Sequence, residues 1–68
     1  MKNNIRVERA IKRITQQELA DLVGVSRQTI NAIESEKYIP SAVLLLKIAY
    51  VCEKKVEDIF SLEESDWK

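Results

Sequence analysis

Apolar side chains recur along this chain at helical intervals, interrupted by a few polar start and stop signals. Ile5, Val7, Ala10, Ile11 and Ile14, with Arg6, Arg9, Lys12 and Arg13 between them, predict helix one over about Ile5 to Arg13. Thr15-Gln16-Gln17-Glu18 has the form of a capping box, in which the threonine oxygen accepts from a first-turn amide while the glutamate reaches back to the Thr15 amide. Helix two therefore starts at Gln16. Leu19, Ala20, Leu22 and Val23 are its expected buried stripe, and Gly24 stands where helices commonly end in a left-handed residue.

Ser26 is a good N-cap for a third helix, Arg27 to Glu34. Ile30 and Ile33, with Val25 before the cap, mark its inward face, and Arg27, Gln28, Asn31 and Ser35 fall on the opposite side. Pro40 followed by Ser41 marks a fourth start. Val43, Leu44, Leu45, Ile48, Ala49, Val51 and Cys52 make that helix apolar on much of its circumference, as expected of a central buried helix. Val56, Ile59, Phe60 and Leu62 predict a short fifth helix, and Glu63 to Lys68 reads as a polar tail carrying Trp67. There is no strand candidate, repeat or linker. The expected fold is all-α: a compact five-helix bundle forming a single domain over residues 1–68, with its core over about 5–60 and a tail over 61–68.

Composition narrows the chemistry. Eleven basic and eleven acidic side chains cancel, which argues against a bulk polyelectrolyte binder. Residues 1–40 carry seven Lys/Arg and five Asp/Glu, whereas residues 41–68 carry four and six, so the two parts stand at +2 and −2. The basic part is the one with the third helix. One cysteine and no histidine leave nothing for an intramolecular disulfide, a structural zinc site or a Cys/His nucleophile pair. Cys52 is simplest as a small buried apolar group. Apolar runs such as Ala42 to Leu46 fall far short of the roughly 20 residues of a membrane span. The first residues, Met1-Lys2-Asn3-Asn4, open no apolar secretory segment, so a cytoplasmic location is expected.

On their chemistry alone, Gln28 and Asn31 can pair bidentately with adenine, and Arg27 can pair with guanine or meet a phosphate; equally, all three can be ordinary solvated helix residues. Lys37 beside Tyr38, just past helix three, suits a phosphate or is simple loop.

The stretch Thr15-Gln-Gln-Glu-Leu-Ala-Asp-Leu-Val-Gly-Val-Ser-Arg-Gln-Thr-Ile-Asn-Ala-Ile-Glu34 resembles the helix-turn-helix of the phage Cro and repressor family, in particular its small stand-alone prokaryotic regulators. The likeness continues through Lys37 to Ser41, Leu46 to Ala49 and Val56 to Phe60. It implies that the third helix enters the major groove of double-stranded DNA and that the protein binds an operator as a homodimer. Carried over by position, Thr15 and Gln16 become phosphate contacts, Ser26, Arg27 and Gln28 base readers, and Thr29 and Ser35 backbone contacts. Ala32 occupies a position that often holds a longer reader. Arg9 and Glu34 match a buried ion pair. Where relatives often have glycine in turns, this chain has Arg13, Glu36 and Glu53; Lys55 replaces the usual cap before helix five, and Glu8 stands where leucine is frequent.

The expected function is a sequence-specific DNA-binding regulator, a repressor on an inverted-repeat operator, acting without catalysis, cofactor or metal. The expected dimer surface is the end of helix four, helix five and the tail, with Tyr50, Phe60, Leu62 and Trp67. The alternative is an antitoxin-like subunit that binds a partner protein and autoregulates its operon.

Overall fold

Three serine and threonine caps and four left-handed turns set the frame of this computed structural model, which describes residues 1–68. The elements are β1 (Lys2–Asn3), α1 (Ile5–Lys12), α2 (Gln16–Val23), α3 (Arg27–Glu34), α4 (Ala42–Cys52), α5 (Val56–Ile59), β2 (Phe60–Ser61) and a final 3₁₀ turn, Glu64–Trp67. The fold is all-α apart from the small strand pair.

Thr15, Ser26 and Ser41 each accept the amide of the residue three ahead, at 3.0, 3.2 and 3.2 Å. At α1 the usual cap is displaced: Asn3, two residues ahead of Ile5, accepts the Ile5 amide at 3.2 Å. Lys55 opens α5 with no acceptor of its own, and only the return bond forms, from the Lys55 amide to Asp58 Oδ2 at 3.4 Å.

Four helices end in a left-handed residue: Arg13 (φ 58), Gly24 (φ 78), Glu36 (φ 63) and Glu53 (φ 56). In each case the residue beyond donates its amide back to the last turn: Ile14 to Arg9, Val25 to Ala20, Lys37 to Ala32 and Lys54 to Ala49. The turns thus keep the glycine geometry that the resemblance implies although three of the four residues carry side chains, each at a cost of about 1 to 2 kcal/mol. Arg13 lies just outside α1 for this reason, one residue short of the expected end.

The core is a single cluster: Ile5, Leu19, Ala20, Val23, Ile30, Ile33, Leu44, Ile48, Ala49, Cys52, Ile59 and Phe60. Ala20, fully buried, lets α2 and α3 approach closely. Several sequence expectations are corrected. Val7, Ile11 and Leu22 are 56, 60 and 62% exposed, because the short α1 and α2 bury only a narrow stripe. The inner side of α1 instead carries Ile5 and Glu8. Glu8 replaces an apolar group in the core; its Oε1 has no hydrogen bond and faces Lys54 Nζ at 3.6 Å. Helix α4 is not enclosed, since Val43, Leu46 and Tyr50 face out.

The carboxy-terminal region departs most. Helix α5 stops at Ile59, and Phe60–Ser61 extends into a strand antiparallel to Lys2–Asn3, with Asn3 opposite Phe60. Phe60 is 5% exposed, which removes it from any contact surface. The tail is ordered: its 3₁₀ turn brings Glu63 and Asp66 to the Met1 amino group, at 3.2 and 3.1 Å. The Asp66 carboxyl lies below its ordinary value, first because the Glu63 backbone amide donates to it and then because of the amino group. Trp67 remains 76% exposed. No helix is long and apolar enough to cross a membrane.

Cys52 is a buried free thiol. Burial and the nearby Glu8 charge push it up, against Lys12 and Lys54, so it stays a protonated, apolar core group.

Candidate nucleic-acid interface

Helix α3 is held at both ends and along one side, which leaves its outer side to solvent. At its start Ser26 accepts the Thr29 amide and its hydroxyl sits 3.0 Å from that of Thr29. At its end Ser35 Oγ donates to the Asn31 carbonyl at 2.7 Å and lies 3.2 Å from Asn31 Oδ1. Ile30 and Ile33 are buried beneath. Arg27, Gln28 and Asn31 are exposed. Arg27 and Gln28 take no part in the side-chain bonds of the helix, so their donors and acceptors are free for a ligand. Asn31 is partly oriented by Ser35, an arrangement the sequence does not reveal. Thr29 is half-buried and supports the cap more than the outer face.

The preceding turn is short because Gly24 takes a left-handed conformation and its amide donates to Ala20 at 2.8 Å. This keeps α2 and α3 at a fixed angle. At the start of α2 the capping box is complete: Thr15 Oγ1 accepts from the Glu18 amide and the Thr15 amide donates to Glu18 Oε1 at 2.9 Å. The Thr15 hydroxyl accepts there, which leaves its own proton to donate. The Gln16 and Gln17 amides lie in the first turn, where no intrahelical acceptor exists. An anion is favoured at such a helix end by these amides and by the helix dipole.

Glu34, with a side chain 2% exposed, joins the three helices. Its two oxygens accept from Arg9 Nε at 2.7 Å and Arg9 Nη2 at 3.1 Å, and Oε1 also accepts from Gln16 Nε2 at 3.1 Å. Arg9 Nη1 donates onward to the Ile14 carbonyl. Burial alone raises the Glu34 carboxyl; the bonds from Arg9 and Gln16 and the charges of Arg9 and Arg6 outweigh it and hold the group below its ordinary value. The buried Arg9–Glu34 pair expected from the resemblance is present. Its link to Gln16 goes beyond that expectation, as does the approach of Arg6, whose Nε lies 3.6 Å from Glu34 Oε1. The signal available was spacing, since Arg6 and Arg9 are three apart and share a helix side.

Lys37 and Tyr38 follow the left-handed Glu36 and are both exposed. Thus Thr15 and Gln16 sit at the start of α2, Ser26, Arg27 and Gln28 at the start of α3, and Ser35, Lys37 and Tyr38 at its end. Gln16 is tied to the end of α3 through Glu34.

The helix-turn-helix family profile matches residues 5–59. An uncharacterized helix-turn-helix-type transcriptional regulator of Methanocaldococcus jannaschii is 50% identical over 66 residues, 97% of this chain and 100% of the relative. Another such regulator, of Bacillus subtilis, is 46% identical over the same shares. Among solved structures, the P22 c2 repressor, crystallised with a synthetic operator, superposes with a TM-score of 0.75 at 28% identity, covering 78% of this chain and 80% of the repressor chain. By sequence and by structure, the chain belongs to the helix-turn-helix family.

Proposed function

We propose that the protein is a transcriptional regulator that binds double-stranded DNA sequence-specifically, acts without catalysis, and represses by occupying an inverted-repeat operator as a homodimer. The observation that carries this reading is the outer side of α3: Arg27, Gln28 and Asn31 point to solvent from a helix locked by two capping serines and two buried isoleucines. Helix α3 enters the major groove by its amino end, with Ser26, Arg27 and Gln28 meeting base edges and Asn31 following one turn later. Thr15 and Gln16 meet phosphate at the start of α2, and Thr29, Ser35, Lys37 and Tyr38 flank the groove on the backbone. The similar P22 c2 repressor, crystallised in complex with operator DNA, supports double-stranded DNA as the ligand.

A chain of zero net charge has little nonspecific attraction to offset the small footprint of one helix, so two copies are needed. The dimer contact is built from exposed apolar groups of α4 and the tail, namely Leu46, Tyr50, Leu62 and Trp67, each more than half exposed. Half-site centres then lie about 10 base pairs apart. The expected workplace is the cytoplasm.

One observation keeps the antitoxin-like reading in view. Val7 and Ile11 expose a second apolar strip on α1, which a partner protein would cover.

Selection of bound sites from random duplexes should yield an inverted repeat, and sedimentation at micromolar concentration should show two copies on it. Failure to enrich any sequence rejects the DNA reading. A monomer that protects one half-site with full affinity rejects the dimer.

A further inference from the structure

Glu34 is one negative charge faced by two guanidinium groups. Arg9 alone satisfies both carboxylate oxygens and spends its remaining terminal nitrogen on the Ile14 carbonyl. Arg6 is therefore surplus. Its Nε stands 3.6 Å from Glu34 Oε1, beyond hydrogen-bond reach, and its side chain is 75% exposed. Coulomb attraction holds the head over the carboxylate while its five N–H donors stay open to an incoming group.

Gln16 Nε2 donates to that same oxygen at 3.1 Å, so the heads of Arg6 and Gln16 flank one carboxylate oxygen. The second N–H of the Gln16 amide, the Thr15 hydroxyl and the first-turn amides of α2 add donors at the start of that helix. The donors are numerous, Arg6 and Arg9 together exceed the Glu34 charge by one, and the Glu18 carboxylate is engaged by the Thr15 amide, so the Arg6 head suits the acceptor oxygens of a phosphodiester.

We infer that Arg6 is a further DNA-contacting residue, gripping a backbone phosphate beside Gln16, and that Glu34 is the positioning residue that sets the two heads side by side. This brings α1 into the interface. The inference rests on the DNA-binding reading above and names a phosphate partner which that reading does not contain.

Salt dependence of operator affinity tests it, because each phosphate deprived of its cationic partner lowers the slope of log K against log salt by about 0.9. Arg6→Gln should reduce the slope by about that amount per half-site and weaken specific and nonspecific duplexes alike, with the preferred bases unchanged. Arg6→Lys retains the charge and should keep the parent slope. Lys68→Gln, which removes a charge from the tail, should leave the slope alone. Denaturant midpoints of all three variants establish that they fold. A parent slope retained by Arg6→Gln, or an equal decrease in Lys68→Gln, overturns the role of Arg6 while leaving DNA binding intact. A parent protein that binds no duplex overturns the underlying reading and the role of Arg6 with it.

Discussion

Arg9 and Glu34 meet side-on across 25 residues of chain, Nε and Nη2 of the one donating to separate oxygens of the other at 2.7 and 3.1 Å. The side chains are 15 and 2% exposed, so neither is hydrated enough to lose its partner cheaply. Glu34→Ala leaves Arg9 and the Gln16 amide without their acceptor and should destabilise by about 2 to 4 kcal/mol. Equilibrium unfolding in denaturant measures this as a lower midpoint at constant slope. A midpoint equal to that of the parent refutes it.

The same pair gives stability a pH dependence of definite sign. Glu34 has a lowered pKa in the folded state, so its contribution is complete above the unfolded value of about 4.3 and is lost as pH falls through the lowered folded value. Glu53 and Asp66 are lowered too and act in the same direction. Subtracting the curve of Glu34→Gln isolates Glu34. The stability gap between parent and variant should be constant from neutral pH to about 4.5 and narrow below it. A gap that widens on acidification contradicts the assignment.

Glu36 sits at φ 63 after α3, where a side chain is strained. Glu36→Gly relieves about 1 to 2 kcal/mol of strain and gives back about 0.4 to 1 through the looser unfolded chain, a net gain of about 0.5 to 1 kcal/mol. Gly24→Ala is the mirror experiment. A methyl group at Gly24 meets nothing within 4 Å, so no clash adds to the backbone strain, and after the offset from the stiffer unfolded chain the net loss is about 0.5 to 1 kcal/mol. Thermal midpoints moving in opposite directions bear this out; a destabilised Glu36→Gly is incompatible with it.

Gln28 stands in the first turn of α3 with a free amide. If Gln28 reads a base edge as proposed, Gln28→Ala should cost about 1 to 3 kcal/mol at one position of each half-site and relax the base preference there. Competition binding with single-base operator variants reads this out. Affinity within a factor of two of the parent excludes the pairing.

Much of the frame was legible because its signals are local. Thr15 with Glu18, the serines at 26 and 41, and Gly24 act through bonds within a few residues, and the starts of α2, α3 and α4 followed from them. Which side of an apolar stripe finds a neighbour is a tertiary matter: Leu22, Val7 and Ile11 fit the helical period yet face water. Two-residue strands are too short to show alternation, so Lys2–Asn3 and Phe60–Ser61 left no pattern to read. At the candidate interface the residue types and spacing identified the outer side of α3 directly. The Gln16–Glu34 bond and the approach of Arg6 depend on how three helices converge, which spacing along one of them does not encode.

Pairing of β1 with β2 brings Asn3 opposite Phe60, and the Asn4 amide donates to the Ile59 carbonyl at 3.0 Å. Closing a loop of nearly the whole chain is entropically the most demanding step in assembling this molecule, whereas α2, α3 and α4 meet through short connections. The pairing should therefore form late on the folding route. Phe60→Leu should raise the unfolding rate and leave the folding rate nearly unchanged, a kinetic signature that equal effects on both rates would disprove. In that order of events the half holding α2 and α3 takes shape first, and the strand pair acts as a latch that sets how long the native state lasts.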